Sequence, residues 1–197
     1  MKLSKRGEYA LRSMINLGIA AKVGRRIVRV TELAKAEELP IKFLEQVMQQ
    51  LREAGYVASE RGKHGGYRLA KPAAKIMIGQ IVRLIDGPLA PIGCVSQTAY
   101  EPCNCPDEAH CGLRMLMLDV RNAIAAILDH YSLADVVEVT TRKLISSGRP
   151  LPFSTAASTP GKSVPTKSRP KKSTKSRATS TSPTEGVIHQ LLGDYAI

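Results

Sequence analysis

The chain has 197 residues, 43% of them hydrophobic but only 4% aromatic and none of them Trp, which favours an aliphatic helical core over a β-sandwich. Its net charge of +12 is unevenly spread: residues 1–72 carry +8, residues 73–145 carry −2, residues 146–184 carry +8 and the remainder −2. Two basic blocks around a near-neutral middle suit a polyanion such as nucleic acid, while the lack of a leader-like apolar segment after Met1-Lys2-Leu3-Ser4 and of any run of about 18 apolar residues excludes a membrane role and points to the cytoplasm.

Residues 4–21 read as a helix, with Ala10, Leu11, Met14, Ile15, Gly18 and Ala21 at helical spacing on one face. Gly24 breaks the pattern, and Arg25 to Val30 reads as a short strand. Thr31 is the expected N-cap of a brief helix over Glu32–Glu38, with Leu33, Ala34 and Ala36 inward. Pro40 suits the start of the next helix, Ile41 to Ala54, because its missing N–H is unpaired there anyway. Phe43, Leu44, Val47, Met48 and Leu51 form that helix's apolar face and leave Lys42, Glu45, Gln46, Gln49 and Gln50 outside. Tyr56 to Arg61, a glycine-rich tip and Tyr67 to Leu69 read as a β-hairpin.

Ile78–Asp86 is a further short helix, stopped by Gly87-Pro88. Residues 88–110 form a loop rich in Pro and Cys. Residues 111–131 make the clearest amphipathic helix, with Leu113, Leu116, Met117, Val120, Ile124, Ile127, Leu128 and Tyr131 at intervals of three and four. Ser132 and Asp135 mark the N-cap and third position of a last helix reaching about Ile145. Residues 149–184 are dominated by Ser, Thr, Pro and Lys and are expected to be disordered, since they cannot bury enough apolar surface to offset ordering entropy. Val187, Ile188, Leu191, Leu192 and Tyr195 make a weak terminal amphipathic segment that offers a docking element to a protein partner.

Helix, turn, polar-faced helix and basic hairpin, in that order, is the winged helix-turn-helix arrangement for double-stranded DNA. A recognition helix must pack by one side and present hydrogen-bonding side chains to base edges by the other. Lys42, Glu45, Gln46 and Gln49 fit that need: Gln can read adenine, Glu can accept from the cytosine amino group, and Lys can bind guanine or phosphate. Lys5, Arg6, Arg61, Lys63, His64 and Arg68, together with Lys2, are the expected phosphate contacts, Arg61 and Lys63 lying near the minor groove. No glycine-rich phosphate loop, nucleophile elbow or paired carboxylates point to an enzyme.

Cys94, Cys103, Cys105 and Cys111 lie within 18 residues, in the spacing C-x8-C-x-C-x5-C. This is not the doubled C-x2-C of a zinc ribbon, which disfavours zinc. Cytosolic thiols are kept reduced, so metal ligation or redox chemistry is expected rather than a structural disulfide. Thiolates grouped in one loop suit a soft site such as a 2Fe-2S or 4Fe-4S iron–sulfur cluster; a thiol-disulfide switch, a zinc site and a regulator without a sensor remain as alternatives.

Leu3 to Ala10, Phe43-Leu44-Glu45-Gln46, and Arg61-Gly62 followed by Gly65-Gly66-Tyr67-Arg68-Leu69 resemble the Rrf2 family of bacterial transcription regulators over residues 1–147. The resemblance implies a homodimer joined through the long helix, and DNA contacts at Lys42, Glu45 and Arg61. It also implies that Cys94, Cys105 and Cys111 are the three cluster ligands. Cluster-bearing members that use a fourth-ligand His three residues after the last Cys differ from this chain, which has Arg114 there; Cys103, His110 and Glu8 are the candidates for that place.

The expected fold is therefore mainly α: a winged helix-turn-helix with a small β-hairpin wing over residues 1–87, a Cys-rich sensor loop over 88–110, dimerisation helices over 111–147 and a disordered basic tail over 148–197. The expected function is a DNA-binding repressor acting on a palindromic operator.

Overall fold

A computed structural model describes residues 2–62 and 65–154; the wing-tip pair Lys63 and His64 and the expected tail and terminal helix lie outside the described residues. Helix α1, Lys5–Lys22, starts at Ser4, whose hydroxyl accepts from the Gly7 N–H at 3.0 Å. Ser4 is itself held by Asp86, which accepts from its N–H at 3.0 Å and from its hydroxyl. The expected single inner face is too narrow. Ser13, Asn16, Leu17, Ile19 and Ala20 are also buried while Ala21 is exposed, because α1 is surrounded by other elements as the hub of the core.

The expected strand at Arg25–Val30 reduces to one bridge, Val28 to Tyr67, with hydrogen bonds of 3.0 and 2.8 Å. Helix α2 spans Val30–Glu37 and begins before the expected Thr31 cap, since the Glu32 carboxylate accepts from the Arg29 N–H at 2.9 Å and closes the first turn there. Leu33 and Ala34 are buried, but Ala36 is exposed. Glu38 takes a left-handed conformation (φ 54°) and turns the chain into α3, Ile41–Glu53.

Strands β1, Val57–Glu60, and β2, Gly66–Leu69, pair antiparallel with Val57 opposite Leu69 and Glu60 opposite Gly66. Helix α4 spans Ile78–Asp86, as the pattern predicts, and stops at Gly87 (φ 82°). Helix α5, Gly112–His130, precedes α6, Leu133–Ser146. The latter begins with the expected reciprocal cap: Ser132 accepts from the Asp135 N–H at 3.3 Å, and Asp135 accepts from the Ser132 N–H at 2.9 Å.

The core gathers Met14, Leu33, Leu44, Met48, Leu51, Ile76, Ile81 and Leu133, all essentially without solvent exposure. Helix α6 returns against α1 at a close approach: a methyl on Gly18 would lie 2.5 Å from Val137 Cγ2. The bidentate pair Arg83–Asp129, with both contacts at 2.6 Å, fastens α4 to α5. Among the described residues no helix is long and apolar enough to cross a membrane.

Candidate nucleic-acid interface and cysteine cavity

Helix α3 is built to show one edge. Leu44, Val47, Met48 and Leu51 recur at intervals of three and four and are completely buried. At ~25 cal/mol per Å² of apolar surface, such a face fixes the helix's rotation about its axis. Pro40, with φ −63°, sets the entry angle, and Phe43 meets Tyr9 of α1 edge-on, with ring centroids 5.4 Å apart. Lys42, Glu45, Gln46 and Gln49 are thereby turned out and exposed. The first three have no hydrogen bond or ion pair among the described residues, while Gln49 donates to Glu53 at 2.9 Å. Gln50 belongs to the other side, contrary to expectation. It donates to the Leu84 carbonyl at 3.1 Å and accepts from Arg6 at 3.0 Å, because it faces α4 and the start of α1.

Arg61 is exposed where β1 ends, ahead of Gly62 (φ 110°). Arg68 is half-buried and bonds Glu60 at 3.1 Å and the Leu69 carbonyl at 3.3 Å, so it braces the hairpin from within. Lys5 is exposed and pairs with Glu8 at 2.8 Å. A groove of about 470 Å³ runs between the start of α2, the end of α3 and the wing, lined by Arg29, Thr31, Arg52 and Arg61 among others. The sequence reading missed the first three. Arg52 was findable, since it continues the Lys42, Glu45, Gln49 stripe by three residues; Arg29 joins only through the tertiary fold.

The four cysteines are free and line one cavity of about 240 Å³, together with Ile92, Glu101 and Leu113. Cys94 is buried in a tight turn, Gly93–Val95. Arg114 donates to the Cys94 carbonyl at 3.3 Å and Arg121 to the Val95 carbonyl at 3.0 Å, so α5 grips this turn by two guanidinium groups. Cys111 caps the N-terminus of α5, where the Arg114 N–H lowers its thiol pKa, aided by the Cys105 hydrogen bond. Cys105 is pushed up to about 12 by its hydrogen bonds to Cys103 and Cys111, and burial pushes the Cys94 thiol up.

The Cys105 and Cys111 sulfurs lie 3.8 Å apart, close to the ~3.8 Å that two thiolates at ~2.3 Å from one tetrahedral metal would have. Among the described residues, however, no three His, Cys, Asp or Glu side chains converge closely enough for one metal ion. Four soft thiol donors rimming one cavity are a donor set that fits an iron–sulfur group. Of the fourth-ligand candidates, Cys103 lines the cavity. His110 is exposed and bonded to Asp107 at 2.7 Å, and Glu8 is engaged by Lys5 and Arg12 on α1. Glu101, which the sequence reading did not single out, also reaches the rim.

Helix α5 has no fully buried residue in the single chain. Met117, Ile124 and Leu128 are half-buried, while Leu113, Leu116, Val120 and Ile127 are exposed.

Comparison with known proteins places these features in company. The Rrf2 family model, described as an iron-dependent transcriptional regulator, matches residues 3–139. A rrf2-like transcriptional regulator of Rhodobacter capsulatus is 36% identical over 137 residues, covering 68% of this chain and 91% of that protein. CymR of Bacillus subtilis is 34% identical over 140 residues, or 71% and 92% of the two chains. Among solved structures, that of CymR, the global cysteine regulator of B. subtilis, has a TM-score of 0.59 at 31% identity over 71% of this chain and 98% of that one. T. potens IscR has a TM-score of 0.57 at 27% identity over 73% and 90%.

Proposed function

This chain belongs to the Rrf2 family of transcriptional regulators, and on that premise we propose that it is a homodimeric repressor whose grip on a palindromic operator is set at the cysteine cavity. DNA-binding transcription regulation, not enzymatic catalysis, is the function of the family. In our reading α3 enters the major groove. Lys42, Glu45, Gln46 and Gln49 meet base edges, and Arg61, with Lys63 and His64, follows the backbone into the minor groove. Lys5, Arg6, Arg29 and Arg52 add phosphate contacts, while Arg68 holds the wing's shape. One observation carries this reading: α3 buries one edge completely and leaves Lys42, Glu45 and Gln46 exposed and uncommitted. Polar groups that already satisfied one another would give no reason to expect an outside partner.

Two copies pair through the exposed α5 stripe, which sets the spacing of the two α3 helices. Half-sites lie about 34–36 Å apart, so a small change in that spacing prevents simultaneous docking. Cys94, Cys105 and Cys111, with Cys103 as fourth ligand, would hold an iron–sulfur cluster. When bound, that cluster supplies a link between loop and helix that iron loss or oxidation removes. Arg114 and Arg121 carry a displacement of the Cys94 turn directly onto α5. A second reading rests on the Cys105–Cys111 proximity: a peroxide accepts two electrons and two protons from the two thiols, leaving a disulfide and no cluster.

The test is DNA selection with the anaerobically purified chain, followed by binding measurements. Glu45→Ala should relax preference at one base pair of each half-site by about 1–3 kcal/mol, and Arg61→Ala should weaken all sequences alike. Unchanged affinity and preference in both variants would overturn the placement of α3.

A further inference from the structure

The loop between α4 and α5 is organised by three side chains that are not cysteines. The Tyr100 hydroxyl donates to the Glu108 carboxylate, 2.8 Å from both oxygens, although Tyr100 as a whole is 52% exposed. That bond closes residues 100–108, which contain Cys103 and Cys105, on themselves. Glu108 also pairs with the Arg114 Nε at 3.1 Å, and the same nitrogen donates to the Cys94 carbonyl at 3.3 Å. Tyr100, Glu108, Arg114 and the Cys94 turn are thus joined in series, ending on the first turn of α5. The Cys94 turn has its own fastening, since the Gly93 carbonyl accepts from the Ser96 and Glu101 N–H groups at 3.0 and 3.2 Å. None of these bonds uses a sulfur atom. The position three residues after Cys111 is therefore taken by a side chain that fastens the loop.

We propose that Tyr100, Glu108 and Arg114 are positioning residues, a latch that keeps the Cys-rich loop seated on α5 while the cavity is empty and so holds the thiols ready for an occupant. The proposal rests on reading the cavity as the sensor and adds how its empty state is kept in shape. The thiols come from three separate pieces of chain: Cys94 from its turn, Cys103 and Cys105 from the closed loop, and Cys111 from the start of α5. A loose loop would lose conformational entropy on ligation; a loop already fastened loses little and takes its occupant more readily. Glu108 is the shared element, because it accepts from both Tyr100 and Arg114, and its loss opens both bonds at once. With no sulfur involved, the latch persists when Cys105 and Cys111 are oxidised, and the Cys94 turn stays coupled to α5 in that state as well.

The experiment uses the full chain, metal-free and reduced, and reads amide hydrogen exchange at Ser96 and Glu101 together with alkylation of the buried Cys94 by iodoacetamide. Each requires the turn to open, so its rate follows the open population. Tyr100→Phe deletes one partly solvated hydrogen bond without altering charge, and should raise these rates about two- to tenfold. Glu108→Ala should raise exchange further, and Glu108→Gln, whose amide oxygen still accepts, should restore part of the difference. Adding Tyr100→Phe to Glu108→Ala should change exchange no further, since the two act through one contact. Exchange at Leu44 and Leu51 and the melting temperature should stay at wild-type values in every variant. Wild-type exchange at Ser96 and Glu101 in both Tyr100→Phe and Glu108→Ala would overturn the proposal. So would a rise shared equally by Leu44 and Leu51, which would mark a weakened fold and not an opened latch. Failure of the sensor reading shows separately, as a wild-type chain that takes up no iron on anaerobic incubation with ferrous iron and sulfide although the latch variants loosen the loop.

Discussion

Replacing Leu116 and Ile127 by Ser should dissociate the proposed dimer while leaving each chain folded. The two residues are eleven apart, three helical turns, and so share one face of α5. They are 57% and 46% exposed in the single chain. Complete burial of such a side chain stabilises by ~1.5–3 kcal/mol, so the fraction still available is worth about 0.9–1.7 kcal/mol for Leu116 and about 0.7–1.4 for Ile127. A twofold interface uses each residue twice, giving about 3–6 kcal/mol in total. The dimer dissociation constant should therefore rise by roughly two to four orders of magnitude. Sedimentation velocity over a concentration series reads this directly, with urea melts of the dissociated chains as the folding control. A double variant that associates as tightly as the wild type would refute the reasoning, and so would a wild-type chain that is monomeric at tens of micromolar.

Single contacts give further expected outcomes. Gly18→Ala drives a methyl into Val137 where α1 and α6 are closest; it should cost about 1–3 kcal/mol of stability, measured by urea unfolding. The Asp129 carboxyl is held below its usual 3.8 by hydrogen bonds from Arg83. A depressed carboxyl contributes stability above its unfolded value, near ~3.9, and loses it as pH falls through the lower folded value. Arg83→Met should therefore flatten the stability profile below about pH 4, by a small amount because both partners are partly solvated. Anaerobically purified protein should absorb visible light and contain iron. Cys94→Ser and Cys111→Ser should abolish both signals, and His110→Ala and Glu8→Ala should leave them intact; an iron-free, colourless wild type with full DNA binding would remove the cluster.

Most of the helices could be read from the sequence because their punctuation is local. Pro40, Gly87 and the Ser132–Asp135 pair each act within one turn, and the apolar spacing of α3 and α4 names the faces that are buried. What could not be read depends on neighbours distant in sequence. Asn16 is buried because its amide donates to the Glu37 carboxylate at 2.5 Å, a partner 21 residues on. Gln50 has the composition of an exposed residue and becomes internal only because the Leu84 carbonyl lies across from it. Arg29 reaches the groove through the Val28–Tyr67 bridge, which no periodicity marks. The stripe on α5 was visible, but its division into a half covered by its own chain and a half left open is a tertiary fact. The four cysteines were visible as a cluster in sequence; that they rim one cavity depends on the return of the loop to α5.

The grip of Arg114 and Arg121 on the Cys94 turn has a thermodynamic corollary. Leu113, one residue before Arg114, belongs both to the cavity wall and to the open stripe, so filling the cavity and joining two chains act on the same helical turn. Linkage then requires the two events to influence each other by an equal factor. If an occupied cavity tightens self-association tenfold, self-association must tighten retention of the occupant tenfold, and dilution alone should loosen it. Under the proposed scheme, protein abundance would then join occupancy of the cavity as an input to the regulator.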